Sequence, residues 1–439
     1  MHPKMQYTYV GIDSHRQTHT AVFLNCFYEK LGELVVSSTP SDFEPFFKKA
    51  EKFLLPYTTF CFAFEDISLY GRSLVKFLIS KEQLIKHTNA NLVASERKSR
   101  NDLQKTDSVD AECCARVVLS QFEKCPTITK VDDKHWILKT LVAHRQSLSK
   151  TGTKLKNQLH QLVFDNYPTY HTFFGHIDTK TALAFFETYP SPAHLKSATL
   201  EELTIFILDV SKGSIKADKA NHIWESVQND GVEASEYQNI HDFTIQSAVR
   251  QLRSNIQEMA DIEEKLENIL AYFDYPLTTM KGVDTLTACR LVAEIGDIER
   301  FQSPASLARY AGIAPATYSS GETSIQYANK RGNRQLNTIF HQLAIVMIST
   351  RGKNKAVINP YFYDYYMKKI GEGKTKKQAL KSLQRRLVNI IWGMMKHKED
   401  YINPPIAFVV DDETGEIIED ETINDNQKAH LMKLQSTFK

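Results

Sequence analysis

Four carboxylates in the first part of the chain stand where elements of secondary structure begin or end. Asp13 follows the apolar run YVGI, and Glu65 follows the run TTFCFAF. Asp107 and Asp110 open a helical pattern, and their spacing puts them on one helix face. Converging carboxylates repel one another unless cations lie among them. Oxygen ligands suit Mg²⁺, and two ions about 4 Å apart can hold both oxygens of a phosphoryl transfer. The pattern therefore predicts a metal-dependent phosphoryl-transfer site.

Three of the four acids also have an ordinary structural interpretation. Asp13 could simply start a turn. Asp107 could be a helix N-cap, and Asp110 a first-turn acid favoured by the helix dipole. The coincidence of all four acids at element ends favours the site.

A second group with chemical potential lies near the other end of the chain. A Ser-Ser-Gly turn, Ser319 to Gly321, precedes a basic loop. Serine hydroxyls beside guanidinium and ammonium groups are what a phosphate-attacking nucleophile needs. Because Ser-Gly turns are abundant, these residues alone do not establish a nucleophile. The loop is composed of Lys330, Arg331, Gly332, Asn333 and Arg334.

A glycine turn at Lys281 and Gly282 lies between two helical patterns and resembles a helix-hairpin-helix. The turn amides of that motif commonly hold a nucleic-acid phosphate. The nucleic-acid-binding residues predicted here are Lys330, Arg331, Asn333, Arg334, Lys281 and Gly282.

The elements that must position the four acids alternate between strands and helices. The stretch from Tyr7 to Leu24 predicts a β-hairpin, and GELVVSS predicts a third strand. There follow a helix (SDFEPFFKKAEKFL), a buried strand (TTFCFAFED), a helix (ISLYGRSLVKFLIS), a short strand (QLIKHTN) and a helix (KTDSVDAECCARVVLSQF). This order is typical of the α/β ribonuclease-H-like fold, a mixed sheet with helices on its faces. Asp13 and Glu65 are then expected at neighbouring strand ends.

Two heptad series predict long helices after residue 132. The first consists of Leu141, Leu148, Leu155 and Leu162, and the second of Ile245, Leu252, Met259, Leu266 and Phe273. Such spacing is typical of coiled-coil-like helices. These helices could pack on each other or on a second subunit. Residues 167–239 between them are expected to be helical and irregular, with turns at YPSP and SKGS.

Composition indicates the class of protein. The chain has 439 residues, of which 42% are hydrophobic, enough for two or three domains. It has no run of about 18 uncharged apolar residues and no signal-peptide core, so a soluble cytoplasmic protein is expected. The six cysteines show no CxxC pair and no spacing suited to zinc, so neither a disulfide framework nor a zinc site is expected.

Charge is unevenly distributed although the net charge is only +2. Ten lysines and arginines occur from Lys368 to Lys398, in a stretch that predicts two basic, aromatic-bearing helices. Seven acids occur from Asp411 to Glu421. Basic runs are usually solvated helix faces, but this asymmetry suits a nucleic-acid binder with an acidic tail.

Several of these stretches together resemble one known family, the DEDD transposases of the IS110 insertion-sequence family, relatives of the Piv DNA invertase. They are GIDSHRQTHTAV, the strand ending in Glu65, KTDSVDA, MKGVDTLTACRLVAEIGDIERFQSPASLARYAGIAP, YSSG, NKRGNRQL and NPYFYDYY. The resemblance covers nearly all of the chain in order, except the 167–239 insert and the tail. One departure is FEDISLYG, where relatives more often have Glu-Ala-Thr-Gly, so Asp66 is a second candidate beside Glu65.

The resemblance implies a DNA transposase or recombinase guided by a structured bridge RNA that the element encodes. It implies that Asp13, Glu65, Asp107 and Asp110 hold Mg²⁺. Ser320, rather than Ser319, would form the covalent link to DNA. In the family the two halves of the site come from different protomers, so DNA, guide RNA and a homo-oligomer, dimer or tetramer, are expected.

The resemblance also implies a domain order. A RuvC-like DEDD catalytic domain is expected at 1–126, and a helical coiled-coil region with the insert at 127–275. A C-terminal transposase domain with the helix-hairpin-helix-like start and the serine motif is expected at 276–400, and an acidic tail at 401–439.

Three other functions fit part of the pattern. A RuvC-like junction nuclease would use the same four acids with water as the nucleophile. An actin-like sugar kinase would need small residues where His15, Arg16 and Gln17 stand, and a second glycine-rich phosphate loop. A non-catalytic DNA-binding scaffold would fit if the acids did not converge.

Overall fold

A computed structural model describes residues 3–67, 69–100, 106–320, 323–327, 329, 332–352, 356–402, 409–410 and 417–418. The chain divides into two units, Met1–Trp136 and Ile137–Lys439.

The first unit is built on a five-stranded mixed sheet in the order β3-β2-β1-β4-β5. Its strands are β1 (Tyr7–Ser14), β2 (Thr18–Leu24), β3 (Lys30–Ser37), β4 (Thr59–Phe64) and β5 (Leu84–His87). The first three pair antiparallel, and β4 lies parallel to both β1 and β5. The predicted hairpin and the predicted mixed α/β character of this region are therefore confirmed.

Helices cover both faces of the sheet, which explains why β1, β2 and β4 are apolar along most of their length. They are α1 (Phe43–Ala50), α2 (Arg72–Ser80), α3 (Ala90–Ser99) and α4 (Asp107–Ser120). Buried residues of α1 and α2 pack on Ile12 and Phe64, while α3 and α4 pack on Tyr9 and Ala63.

The helix α3 was not predicted. Val93 is its only buried residue, so it lacks the apolar stripe that marks a helix in sequence. Its start is nevertheless capped, because the Asn89 side chain accepts a hydrogen bond from the backbone N–H of Asn91 at 2.8 Å.

The two heptad series form the long helices α5 (Asp133–Asn166) and α10 (Gln238–Leu270). They run antiparallel and contact each other within the chain. Arg145 pairs with Glu263 at 2.6 Å, and Asn255 Nδ2 donates to the carbonyl of Leu148 at 3.2 Å. Of the two packing partners that the sequence left open, the structure shows the intramolecular one.

The insert between the long helices is helical, as expected. It contains α6 (Lys180–Thr188), α7 (Pro192–Lys196), α8 (Leu200–Val210) and α9 (Asp218–Asp230). These helices pack on the ends of α5 and α10 around a core that includes Tyr167, Phe173 and Phe185. Both predicted turns are present: α7 begins directly after Ser191, and Gly213 in SKGS has a φ of 74°.

The rest of the second unit is mostly helical. Its helices are α11 (Thr285–Ile295), α12 (Pro304–Tyr310), α13 (Arg334–Ile348), α14 (Pro360–Gly371) and α15 (Lys376–His397). Its short strands are β6 (Ala316–Ser320), β7 (Thr323–Tyr327), β8 (Thr350–Arg351), β9 (Ala356–Val357), β10 (Val409–Val410) and β11 (Ile417–Ile418). The two predicted basic helices are α14 and α15. Most of the acidic tail lies outside the described residues. Over the described part of the chain, each helix is too short or too polar to cross a lipid bilayer.

Candidate active site

The register of the sheet brings Asp13 and Glu65 to one edge. Ile12 of β1 is paired with Phe64 of the parallel strand β4, so the residue after each partner lies at the same level. Burial raises the pKa of the Cys114 thiol on α4, and the Glu65 and Asp13 carboxylates raise it further. Because side chains alternate along a strand, and Ile12 and Phe64 pack on the side of α1 and α2, Asp13 and Glu65 lie on the face of the sheet that α4 covers.

The start of α4 positions the other two acids, Asp107 and Asp110, at this edge. The Thr106 side chain accepts a hydrogen bond from the backbone N–H of Val109, so Thr106 is the N-cap, and Asp107 is not. Asp107 and Asp110 lie in the first turn. A Cβ on Gly11 would lie 1.8 Å from the carbonyl oxygen of Ala111, so only glycine allows α4 to approach β1 this closely.

Asp13, Asp107 and His15 form a cluster in which the donor atoms all lie within 4.8 Å of one another. His15 Nε2 is 3.0 Å from Asp13 Oδ2 and 3.2 Å from Asp107 Oδ1. Burial raises the pKa of Asp13, and the charges of Asp107 and Asp110 act in the same direction against the opposing effect of His15. The structure therefore brings the negative charges of three predicted acids close together.

Glu65 and Asp110 lie beside this cluster but are not part of it. Glu65 is exposed, and the His87 ring approaches its backbone carbonyl at 3.1 Å. The Asp110 carboxylate accepts a hydrogen bond from the guanidinium of Arg97 on α3. The sheet edge thus carries all four predicted acids, two of them in the close cluster.

Sequence reasoning missed His15 as a site residue. It lies two positions after Asp13 in the turn between β1 and β2, where a histidine has no distinguishing pattern of its own. A possible signal was its place in the same hairpin as a strand-end acid.

Asp66, the second candidate beside Glu65, stabilises the loop that follows it. Its carboxylate accepts hydrogen bonds from the backbone N–H groups of Leu69 and Tyr70, at 2.8 and 2.7 Å. This loop leads into α2. The contacts of Asp66 are therefore those of a turn residue.

The donor set of the cluster suits a divalent cation. Asp13 is partly buried beside two other acids, and a cation would offset both the burial and the repulsion. Carboxylate oxygens are the preferred ligands of Mg²⁺, and imidazole nitrogen accepts several transition metals. Asp13 and Asp107 can hold such an ion, with Glu65 and Asp110 within reach of the same sheet edge.

The predicted serine lies in the second unit. Ser320 is the last residue of β6 and is paired with Thr323 of the antiparallel strand β7. Gly321, Lys330 and Arg331 lie outside the described residues. Asn333 caps α13 by accepting from the N–H of Leu336 at 2.9 Å.

A basic cleft of about 1340 Å³ lies between the β7 end, α13, α14 and α15. Five cations among the described residues line it: Arg334, Lys369, Lys374, Lys381 and Arg385. Glu372, outside the lining, pairs with Lys369 at 2.8 Å and Lys374 at 3.6 Å. Arg334, a predicted binding residue, is exposed. Such a surface suits the phosphates of a nucleic acid.

Lys281 and Gly282 lie in a turn before α11. The Lys281 side chain is exposed, and Gly282 has a φ of 105°, in the left-handed region that favours glycine. A Cβ on Gly282 would also lie 3.0 Å from the Met347 sulfur. Their role in phosphate binding stays a prediction.

Two transposase family models match the chain on either side of the insert. A DEDD transposase model of IS110 matches residues 10–168, which include all four acids. The model described as the Transposase IS116/IS110/IS902 family matches residues 274–366, which include Ser320. The chain belongs to the IS110 family of insertion-sequence transposases. This DEDD membership implies a divalent metal cofactor and a DNA substrate.

Individual relatives agree with this assignment. An uncharacterized protein of insertion element IS110 from Streptomyces coelicolor is 27% identical over 66% of this transposase and 71% of its own length. A protein of insertion element IS116 from Streptomyces clavuligerus is 25% identical over 69% of this chain and 73% of its own. A pilin gene-inverting protein from Moraxella bovis is 28% identical over 28% of this chain and 37% of its own.

Proposed function

We propose that this transposase cuts and rejoins DNA with Mg²⁺ held by Asp13, Glu65, Asp107 and Asp110 and with Ser320 as the nucleophile. The observation that carries the proposal is the convergence of Asp13, His15 and Asp107 within 4.8 Å at the edge that Glu65 also occupies. The strand order, with β4 and β5 parallel to β1, supports a ribonuclease-H-like, RuvC-like fold for the catalytic domain.

The reaction exchanges one phosphodiester for another. The Ser320 hydroxyl loses its proton as its oxygen attacks the scissile phosphorus and forms a serine–phosphate bond, and the bond to one DNA oxygen breaks as that oxygen takes up a proton, so the step is balanced. Attack on the serine–phosphate bond by a new DNA hydroxyl rejoins the strand and frees Ser320. When bound, Mg²⁺ polarises the phosphate. Lys330, Arg331 and Arg334 hold the phosphate backbone.

The proposal includes the domain order 1–126, 127–275, 276–400 and 401–439, a homo-oligomer, and guidance by a structured bridge RNA. The basic cleft supports a nucleic-acid partner for the second unit. Sequencing the RNA that copurifies with the full chain tests the guide. If a bridge RNA guides the protein, the copurifying RNA should pair with the flanks of the element's own gene. Recovery of host RNA alone would contradict this part of the proposal.

A RuvC-like junction nuclease is the second candidate, because all four acids lie in the first unit and could activate water without a serine. A covalent protein–DNA adduct separates the two functions. Labelled DNA carrying the element's ends is incubated with the protein, its copurifying RNA and Mg²⁺, then run on a denaturing gel.

We expect an adduct with the natural protein and with Ser319→Ala, which is the matched control. Ser320→Ala should lose both the adduct and recombination while retaining DNA binding. Cleavage without an adduct in the natural protein would support the nuclease. Normal recombination by Ser320→Ala would show that the nucleophile is another residue.

A further inference from the structure

A second cavity, of about 550 Å³, adjoins the basic cleft in the second unit. Tyr365, Ser382 and Arg385 line both cavities, so the two are continuous along α14 and α15. We call it the aromatic pocket, and its lining includes Tyr361, Tyr365, Arg386, Asn389, Gly393 and Tyr401. Its volume is within the range of small-molecule sites, roughly 300–1,000 Å³.

Three buried polar atoms of the aromatic pocket have no hydrogen-bond partner among the described residues. They are Arg386 Nε, Asn389 Oδ1 and the Tyr401 hydroxyl. Each of these atoms is also closed to solvent, so they lie beneath the surface of the pocket rather than on it.

Planar groups line the same pocket. The Arg386 guanidinium lies 5.0 Å from the ring centre of Tyr361 and 4.7 Å from that of Tyr365. Aromatic rings and arginine planes are the surfaces on which proteins stack single-stranded bases.

Gly393 keeps the aromatic pocket open. It lies in the interior of α15, where glycine is unfavourable. A Cβ there would meet no atom of the described residues within 4 Å, so their packing does not require glycine. A larger side chain at this position would instead fill the cavity.

Charge differs between the two cavities. Among the described residues, the lining of the basic cleft includes five cationic side chains and no carboxylate, whereas Glu399 and Asp400 line the aromatic pocket. The two carboxylates of the pocket offset its two arginines, Arg385 and Arg386, so phosphates are favoured more in the cleft than in the pocket, which suits an uncharged base.

We propose that the aromatic pocket receives an unstacked base of a single-stranded nucleic acid whose phosphates lie in the basic cleft. The inference rests on the proposed function because it requires that this protein binds nucleic acid. It adds a base-binding site that is separate from the acid cluster.

Photocrosslinking of the full-length protein tests the site. The probes are oligonucleotides of about 15 nucleotides, long enough for a single-strand site. One is DNA containing 4-thiothymidine and the other is RNA containing 4-thiouridine. Fluorescence anisotropy measures affinity, and mass spectrometry maps the cross-links. The Gly393→Leu variant fills the pocket. Gly371→Leu is the matched control, because Gly371 ends α14 on the surface and a Cβ there also meets nothing within 4 Å.

We expect cross-links to Tyr361, Tyr365 or Tyr401 with at least one probe, and that probe identifies the bound strand. Gly393→Leu should lower their yield about tenfold while affinity changes less than about threefold, because phosphate contacts dominate affinity. Gly371→Leu should behave as the natural protein. If Gly393→Leu does not fold, Asn389→Leu, whose larger side chain also narrows the pocket, provides the same comparison.

Tight binding with cross-links elsewhere, or with an unchanged yield in Gly393→Leu, would overturn the base site and leave the proposed function intact. Failure to bind either oligonucleotide would count against both.

Discussion

Asp13 is the acid whose surroundings most strongly favour a bound cation. Its pKa is raised first by burial and then by the charges of Asp107 and Asp110. Asp13→Asn removes the charge and keeps the size. Recombination should fall at least about a thousandfold, because metal stabilisation of a phosphoryl-transfer transition state is worth several kcal/mol. The variant should fold at least as stably, because a partly buried charge is removed.

The measurements for Asp13→Asn are a recombination assay and the shift of the melting temperature with Mg²⁺. The natural protein should melt higher with Mg²⁺, as any ligand of the folded state produces. Asp209→Asn, at an exposed position on α8, is the control and should keep that shift. An equal Mg²⁺ shift in Asp13→Asn would contradict the assignment of Asp13 as a metal ligand.

Glu65 and Asp66 can be distinguished by whether their substitution lowers folding stability or recombination activity. Asp66→Ala leaves the N–H groups of Leu69 and Tyr70 without their acceptor, and because both residues are exposed and water can replace it, we expect a loss of about 0.5–1.5 kcal/mol in the free energy of unfolding. Glu65→Gln should change stability less and abolish recombination. Urea unfolding and a recombination assay measure the two effects. If Asp66→Ala were stable but inactive and Glu65→Gln were active, Asp66 would be the metal ligand and Glu65 would not.

The sequence predicted the acids as site residues but did not predict His15. A carboxylate after a long apolar run is unusual enough to be noticed without a structure. A histidine in a polar turn is ordinary. Its position beside Asp107 depends on how α4 approaches β1, which no local pattern encodes.

Gly11 determines how close α4 can come to β1. Gly11→Ala would put a Cβ 1.8 Å from the carbonyl of Ala111, so helix or strand must move. We expect a loss of about 1–3 kcal/mol in the free energy of unfolding, typical of overpacking, together with loss of the Mg²⁺ shift. Urea unfolding and thermal melting measure these.

The control for Gly11→Ala is Gly371→Ala, where the added Cβ meets no atom within 4 Å. This substitution should leave stability unchanged or slightly raised. Natural stability together with an intact Mg²⁺ shift in Gly11→Ala would show that the close approach of α4 does not position Asp107.

At the scale of elements, prediction succeeded where burial leaves a pattern. The apolar runs of β1 and β4 and the capped start of α4 are visible in sequence. The helix α3 is not, because it buries only Val93. This helix supplies Arg97, the partner of Asp110, so the pairing of that acid could not be predicted either.

Over the whole chain, the heptad pattern predicted two long helices without identifying their partner. An apolar seam is the same whether it packs within a chain or between chains. Within the chain, the packing of α5 on α10 is accompanied by polar contacts such as the pair Arg145 and Glu263, which the heptad pattern does not specify.

Asp242 joins the ends of the two long helices to the insert. It is only 5% exposed, and it accepts hydrogen bonds from Gln238 at 2.8 Å, from Ser191 at 3.0 Å and from Asn166 at 3.5 Å. His194 Nδ1 also lies 3.1 Å away. One carboxylate therefore ties α10 to α5 and to the start of α7.

Asp242→Ala should destabilise the second unit by about 3 kcal/mol or more, because several buried donors lose their acceptor at once. Asp261→Ala, on the exposed face of the same helix, removes a single 2.8 Å hydrogen bond from Gln257 and should cost about 0.5 kcal/mol or less.

Hydrogen exchange measured by mass spectrometry shows which helices are destabilised. Amides of α6, α7 and the adjoining ends of α5 and α10 should exchange faster in Asp242→Ala, while those of α13 and α15 change little. Equal exchange in the two variants would mean that the aromatic core around Tyr167 holds the insert without this carboxylate.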